Sequence, residues 1–241
     1  MLGLMLCWSV SAGADTVKGS FKVYMAGKPV ATENYTIERT GGKVELNGTG
    51  KADLGVLKID IQKFTVVTDE KFQPVSVEAK ALMGKMKMQD SITFGEGKAK
   101  NQIDTGQGPQ PKEDDVHPDA LMVNANLPLF AWSTLALRVK LDSSDPQEFH
   151  AYIIGQAEVP VTVVSKGKEM VAFASDRKVN LNHFSMNFPP GPTAPPIDVD
   201  VWLTDERQIV KISVPAQNVE AYQDGYERKA PPPAATPEPP K

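Results

Sequence analysis

One stretch of this chain cannot be read as a strand. Residues Asn126 to Lys140 (NLPLFAWSTLALRVK) place Leu127, Phe130, Thr134, Leu137 and Leu141 on one helical stripe and Leu129, Trp132, Leu135, Ala136 and Val139 on a second. Apolar residues then surround most of the circumference, and a helix of that kind is either buried or in a membrane. At 1.5 Å per residue it would span only about 22 Å, and it carries Ser133, Thr134 and Arg138, so burial is the expectation. Asn126 is placed as an N-cap, Pro128 falls in the first turn, and Arg138 and Lys140 meet the negative C-terminal end. The rest of the chain must supply the enclosure.

What surrounds this stretch has period two. Phe21, Val23 and Met25 alternate with Ser20, Lys22 and Tyr24, and after the turn Ala26-Gly27-Lys28-Pro29 the pattern resumes through Tyr35 and Ile37. Leu57, Ile59 and Ile61 share one face, but beyond Gln62 the apolar set changes parity to Phe64 and Val66, which predicts a bulge. Leu82, Met86, Met88, Ile92 and Phe94 form another face, broken only at Gly84 and Asp90. Gly106 to Asp119 has no periodicity and is rich in Gly, Pro and charge, so it is expected to be a crossover loop leading to the helix. Strands then follow at Phe149 to Ile153, Val159 to Val163 and Met170 to Ala174. From Arg177 to Phe188 the parity changes again, Val179 and Leu181 against Phe184, Met186 and Phe188, which predicts a second bend. The runs VVTDEKFQPVSV from Val66 and VWLTDERQIVKISV from Val201 look alike and suggest similar hairpins in the two halves flanking the helix. Duplication and ordinary turn chemistry both account for the match. The expected fold class is mainly β (α+β): a curved antiparallel sheet or half-barrel of about 10 to 12 strands wrapping one buried helix.

The chain has 241 residues, 41% apolar, and a net charge of −4 with no basic block, which argues against a nucleic-acid partner. Residues 1–14, MLGLMLCWSVSAGA, carry no charge and end in Ala12-Gly13-Ala14, the small residues that a signal peptidase reads. They are expected to be a signal peptide, which puts the protein in the periplasm or outside the cell. Cys7, the only cysteine, follows Leu6 rather than a small residue, so lipid anchoring is not expected. A mature chain from Asp15 would have neither a disulfide nor a thiolate metal site. Residues 15–229 are read as one half-barrel domain, and APPPAATPEPPK from Ala230 as a disordered Pro-rich tail.

No nucleophile elbow, zinc-protease helix motif, phosphate-binding loop or dinucleotide fingerprint occurs in the right context, so no catalytic residues and no enzyme activity are expected. Glu113-Asp114-Asp115-Val116-His117-Pro118-Asp119 offers oxygen and imidazole ligands without the spacing of a calcium loop. It is read as a charged loop, with no metal site and no cofactor. The apolar strand faces carry the positive signal. Met86, Met88, Phe94, Phe184, Met186 and Phe188, with Trp132 on the helix, are the candidate ligand-binding residues, because soft and aromatic groups on a curved sheet suit a lipid-like or acyl-chain ligand. The competing reading is that they pack against the helix and leave no space.

The sequences FKVYMAGKPVATENYTI and TDEKFQPVSVEA, and above all VDVWLTDERQIVKISVPAQNVEAYQDGYE, resemble an exported bacterial β-rich domain that also occurs ahead of some secreted α/β-hydrolase domains. That domain is similar to the LolA/LolB-type half-barrel of lipoprotein carriers. The resemblance implies a curved antiparallel sheet that wraps helices and can hold acyl chains. Two functions follow as expectations: a non-catalytic cell-envelope module sheltering a hydrophobic ligand, or a filled structural module acting through an envelope protein partner. No transmembrane segment is expected after signal cleavage. Protein purified from its native host should begin at Asp15, and mass spectrometry finding Met1 retained or Cys7 lipidated would refute the export reading.

Overall fold

The period-two pattern resolves into strands through almost the whole described chain. A computed structural model describes residues 15–123, 128–154, 157–189 and 196–229. The signal peptide and the Pro-rich tail expected from the sequence lie outside these residues. The strands are β1 (Asp15–Met25), β2 (Lys28–Thr40), β3 (Lys43–Asp53), β4 (Lys58–Asp69), β5 (Pro74–Met83), β6 (Met86–Gly95), β7 (Lys98–Asp104) and β8 (Gln110–Asp115). They continue as β9 (Leu121–Val123), β10 (Gln147–Ile153), β11 (Glu158–Ala172), β12 (Lys178–Phe188), β13 (Ile197–Leu203), β14 (Ile209–Val214) and β15 (Val219–Gln223). All belong to one curved sheet of fifteen strands, more than the sequence suggested, in the order β8 to β1, then β15 to β9. Neighbours are antiparallel except β9, which runs parallel to β10.

Two meanders therefore join through the first and last strands, β1 against β15, with Phe21 opposite Gln223 and Met25 opposite Val219. The connection between β8 and β9 fixes the curvature. A flat sheet of fifteen strands would hold its edges about 67 Å apart at about 4.8 Å per strand. Yet β8 and β9 are the two edges, and the residues joining them, Val116 to Ala120, reach at most about 20 Å. The sheet must curl until its edges meet. No backbone ladder joins β8 to β9, so it stays open, and side chains form the seam. The Tyr152 hydroxyl donates to Asp114 at 2.8 Å and lies 3.1 Å from Asn101 Oδ1, and the His117 and His150 rings stack 4.2 Å apart.

Bulges help the curl. The parity change after Gln62 is a bulge in β4, seen as a register shift against both β3 and β5. The second parity change has a different cause. Across β12 the register with β13 is unbroken, and the extra residue, Lys166, sits in β11 opposite the step from His183 to Phe184. There β11 runs as one strand through what the sequence suggested were two. The change of parity in β12 marks burial on both faces: Phe184, Met186 and Phe188 join the main core, while Leu181 enters a second cluster with Phe173, Trp202 and Tyr222. A further correction concerns Gly106 to Asp119, expected as a loop, because Gln110–Asp115 pairs with β7 as an edge strand. Its charged, Pro-containing sequence suits an edge, where a missing N–H costs no ladder bond and charge discourages pairing with other chains.

The two similar hairpins are out of step by one residue. In the first, the Asp69 carboxylate accepts the N–H groups of Lys71 and Gln73, and Phe72 has positive φ. In the second, the Thr204 hydroxyl accepts those of Glu206 and Gln208, and Arg207 has positive φ. Asp69 thus plays the part of Thr204, not of Asp205. Turn chemistry accounts for the likeness of the two sequences.

The segment read as a long helix is a 3-10 turn, Leu129–Trp132, followed by one short helix, α1 (Ser133–Arg138). Asn126 lies outside the described residues. Everything from Leu129 to Ala136 is buried, as an all-round apolar sequence requires. The cap comes from β2: the Leu129 N–H donates to both oxygens of Glu33 at 2.8 Å, and the Phe130 N–H donates to Oε2 at 3.1 Å. Phe130 then stacks on Tyr35, with centroids 5.9 Å apart, and meets Phe64 edge-on at 5.6 Å. Gly48 makes room for it, since a Cβ there would come within 2.3 Å of the Phe130 ring.

Burial pushes the Glu33 carboxyl up from 4.5 to about 7, against the opposing pull of its two backbone donors. Between those values the folded chain holds a proton that the unfolded chain has lost. The raised value therefore contributes stability that is complete below about pH 4.5 and is lost as the pH rises through about 7, worth about 3 kcal/mol. Urea unfolding of the wild type and Glu33→Gln should show their stability difference shrinking by about that amount from pH 4 to pH 8. A difference that stays flat would show that this carboxyl is not held in the core.

Candidate functional site

Beside the capped turn the interior is not filled. A partly open apolar cavity of about 450 Å³ lies against β4, β5 and β6, bordered on its other sides by Pro128 and Leu129, Ile154, the end of β1 and the β14 to β15 corner. This falls within the range of about 300 to 1,000 Å³ typical of small-molecule sites. The local sequence explains the space. Where β5 borders the cavity its inner-face residues are Ala79, Ala81 and Met83, two of them small. Ile59, Ile61 and Phe64 from β4 and Val23 from β1 complete an aliphatic and aromatic wall. Met25 and Leu54, both among the exposed large apolar residues, stand at its rim.

One acidic side chain interrupts this wall, and Gln217, an exposed residue that follows β14, also borders it. Asp90 faces the cavity from β6, opposite Ala79 on one side and Ile103 on the other. Its Oδ1 is buried with no hydrogen-bond partner among the described residues. Desolvation raises its carboxyl above the ordinary value. Lys80 also borders the cavity, but it sits between Ala79 and Ala81 and so belongs to the opposite face of β5.

Of the seven residues selected from the sequence, only Met88 lines this cavity. Met86 shares its face of β6 but lies at the hairpin end and is 44% exposed. Phe94 packs edge-on against Tyr152 at 5.6 Å, near the seam. Trp132 and Phe188 meet edge-on at 5.4 Å, and Phe184 and Met186 are fully buried in the core. These last four are brought together as packing, in the half of the sheet built from β10 to β15. Sequence reading missed Ala79, Ala81 and Asp90, although the break in alternation at Asp90 was the one visible sign.

Other polar clusters are self-contained. On the opposite face of the sheet His183 stacks on Trp202 with centroids 4.4 Å apart, between Glu169 at 3.0 Å and Asp200 at 3.2 Å. Lys211 caps the other side of that indole, 4.2 Å from the ring centroid. In the charged segment before the helix, Asp114 binds Tyr152 and Lys112, and Asp115 binds Lys98. Among the described residues no group of three or more His, Cys, Asp or Glu is placed to hold a metal ion, and no helix is long and apolar enough to cross a membrane.

No protein-family model matches the chain, and no curated protein matches it. Among solved structures it is similar to a DUF1089 family protein from Pseudomonas aeruginosa, at 10% identity and a TM-score of 0.48, covering 78% of this chain and 90% of that one. It is also similar to a Bacteroides fragilis protein described as a candidate exported protein with a YmcC-like fold. There the identity is 8% and the TM-score 0.31, covering 86% of this chain and 92% of that one.

The contrast between a filled half and a hollow half can be measured. Met186→Trp should overpack the core and cost about 1 to 3 kcal/mol, whereas Ala81→Trp should enter the cavity and cost less than about 1 kcal/mol. Urea midpoints falling in the reverse order would place the free space elsewhere.

Proposed function

We propose that this protein is a non-catalytic cell-envelope module that shelters a hydrophobic, lipid-like ligand in the cavity between β4 to β6 and the Pro128–Leu129 segment. The supporting observation is the cavity itself: an aliphatic volume of about 450 Å³ beside a buried helical segment, in a chain that opens on a candidate signal peptide. The arrangement suits the LolA/LolB-type reading, in which a half-barrel wraps helical structure and leaves room for acyl chains. The ligand surface belongs to Ala79, Ala81, Met88 and Leu129 rather than to Trp132, Phe184, Met186 and Phe188, which serve as packing. Export to the periplasm or beyond is part of the same proposal.

Each buried methylene is worth roughly 0.8 kcal/mol, so a chain of about ten carbons would gain enough to offset the entropic cost of association. Purified mature protein should bind a neutral fluorescent alkyl probe saturably, and Ala81→Trp should weaken that binding by at least about tenfold while leaving the fold intact. Absence of saturable binding, with no lipid seen by native mass spectrometry, would favour the alternative of a filled module acting through protein contacts.

A further inference from the structure

An apolar cavity accepts any alkyl chain, and it is the polar group in its wall that selects among them. Lys80 and Gln217 also border this cavity but are exposed, and the polar group with a buried, unpartnered atom among the described residues is Asp90. Its flanking residues on the inner face of β6 are Met88 and Ile92, and its cross-strand neighbours are Ala79 and Ile103, so no adjacent strand position offers it a donor. Buried carboxylate oxygens are normally paired, because desolvation without a replacement hydrogen bond is costly. An apolar residue at this position would continue the wall and remove that cost. Glu33, the other acidic group of the interior, has its backbone donors, whereas Asp90 Oδ1 has none among the described residues.

We propose that Asp90 is the polar anchor of the cavity and that the ligand is an amphiphile with an alkyl body and an ammonium head group. The ammonium would supply both the missing donor and the opposing charge, giving a charge-assisted hydrogen bond to a half-buried carboxylate. A fatty-acid carboxylate would instead bring a second negative charge beside Asp90, and a long-chain alcohol would supply a donor without charge. The inference rests on the cavity being a ligand site, so its test carries a probe that is indifferent to the head group.

Displacement of a neutral alkyl probe from the full mature chain would be measured with decylamine, decanol and decanoate, for the wild type, Asp90→Asn and Asp90→Leu. Wild type should prefer decylamine over decanoate by at least about tenfold, with decanol between them. Asp90→Asn should lose most of that preference, and Asp90→Leu should bind the neutral probe at least as well as wild type while no longer favouring the amine. Decanoate bound as tightly as decylamine, or an amine preference that survives in Asp90→Leu, would overturn the anchor while leaving the cavity reading in place. If the neutral probe itself fails to bind the wild type, the cavity reading falls and the anchor falls with it. Circular dichroism on both variants confirms that the sheet is intact, and Asp90→Asn, nearly isosteric, serves if Asp90→Leu does not fold.

Discussion

The interior is organised around a carboxylate. Glu33 is 1% exposed and accepts the first two N–H groups of the Leu129–Trp132 turn, which otherwise would enter the core with unsatisfied donors. A carboxyl group can do this because it presents two oxygens that accept, even while burial favours its protonated form. A glutamine in its place would bring two donors of its own into an apolar surrounding. The contact fixes Leu129 as part of the cavity wall and sets Phe130 onto Tyr35 and Phe64. The glycines of the neighbouring strands follow from that placement. Gly48 yields to the Phe130 ring and Gly19 to Tyr35, since a Cβ at Gly19 would lie 2.4 Å from that ring. A single buried acid thus determines where the helical segment stops short of the sheet and where it touches it.

Much of this architecture was legible. Alternation showed nearly every strand, because a sheet with one face on a core and one in water must repeat every two residues. The bulge at Gln62 and the burial of the Leu129–Ala136 segment were readable for the same reason: each is a local pattern with one physical cause. What escaped were features set by distant partners. Gln110–Asp115 has no apolar face, and it is a strand only because β7 offers an open edge. Glu33 reads as an exposed residue of a polar run, and only the arrival of Leu129, 96 residues later, makes it a cap.

The residues selected from the sequence and those that line the cavity differ for an instructive reason. Met and Phe side chains mark where apolar volume is plentiful, and in β12 that volume was used to fill the core, leaving Phe184 and Met186 fully buried. Space arises where side chains are small, so the positions that signal a cavity are Ala79 and Ala81, which in the sequence look merely unremarkable. A search for binding residues by hydrophobicity therefore finds the wall that is packed and passes over the wall that is hollow.

The two halves of the sheet divide the work accordingly. From β10 to β15 both faces are occupied, the inner by Phe184, Met186 and Val201 and the outer by the cluster around Trp202. That half meets the helical segment through the edge-on contact of Phe188 with Trp132. From β4 to β6 the buried core residues lie on the inner face alone, the strands end in exposed hairpins, and the Ala-rich stretch of β5 leaves the gap. A fold built by uniform packing would have closed that gap with larger side chains, such as those buried on β4 and β12. Instead the gap coincides with the one inward-facing acidic residue whose buried oxygen has no partner among the described residues. Small neighbours and an unpaired carboxylate are each costly to a packed core, and they occur together on adjacent strands, Ala79 directly opposite Asp90. The proposed ligand site would give both a common cause.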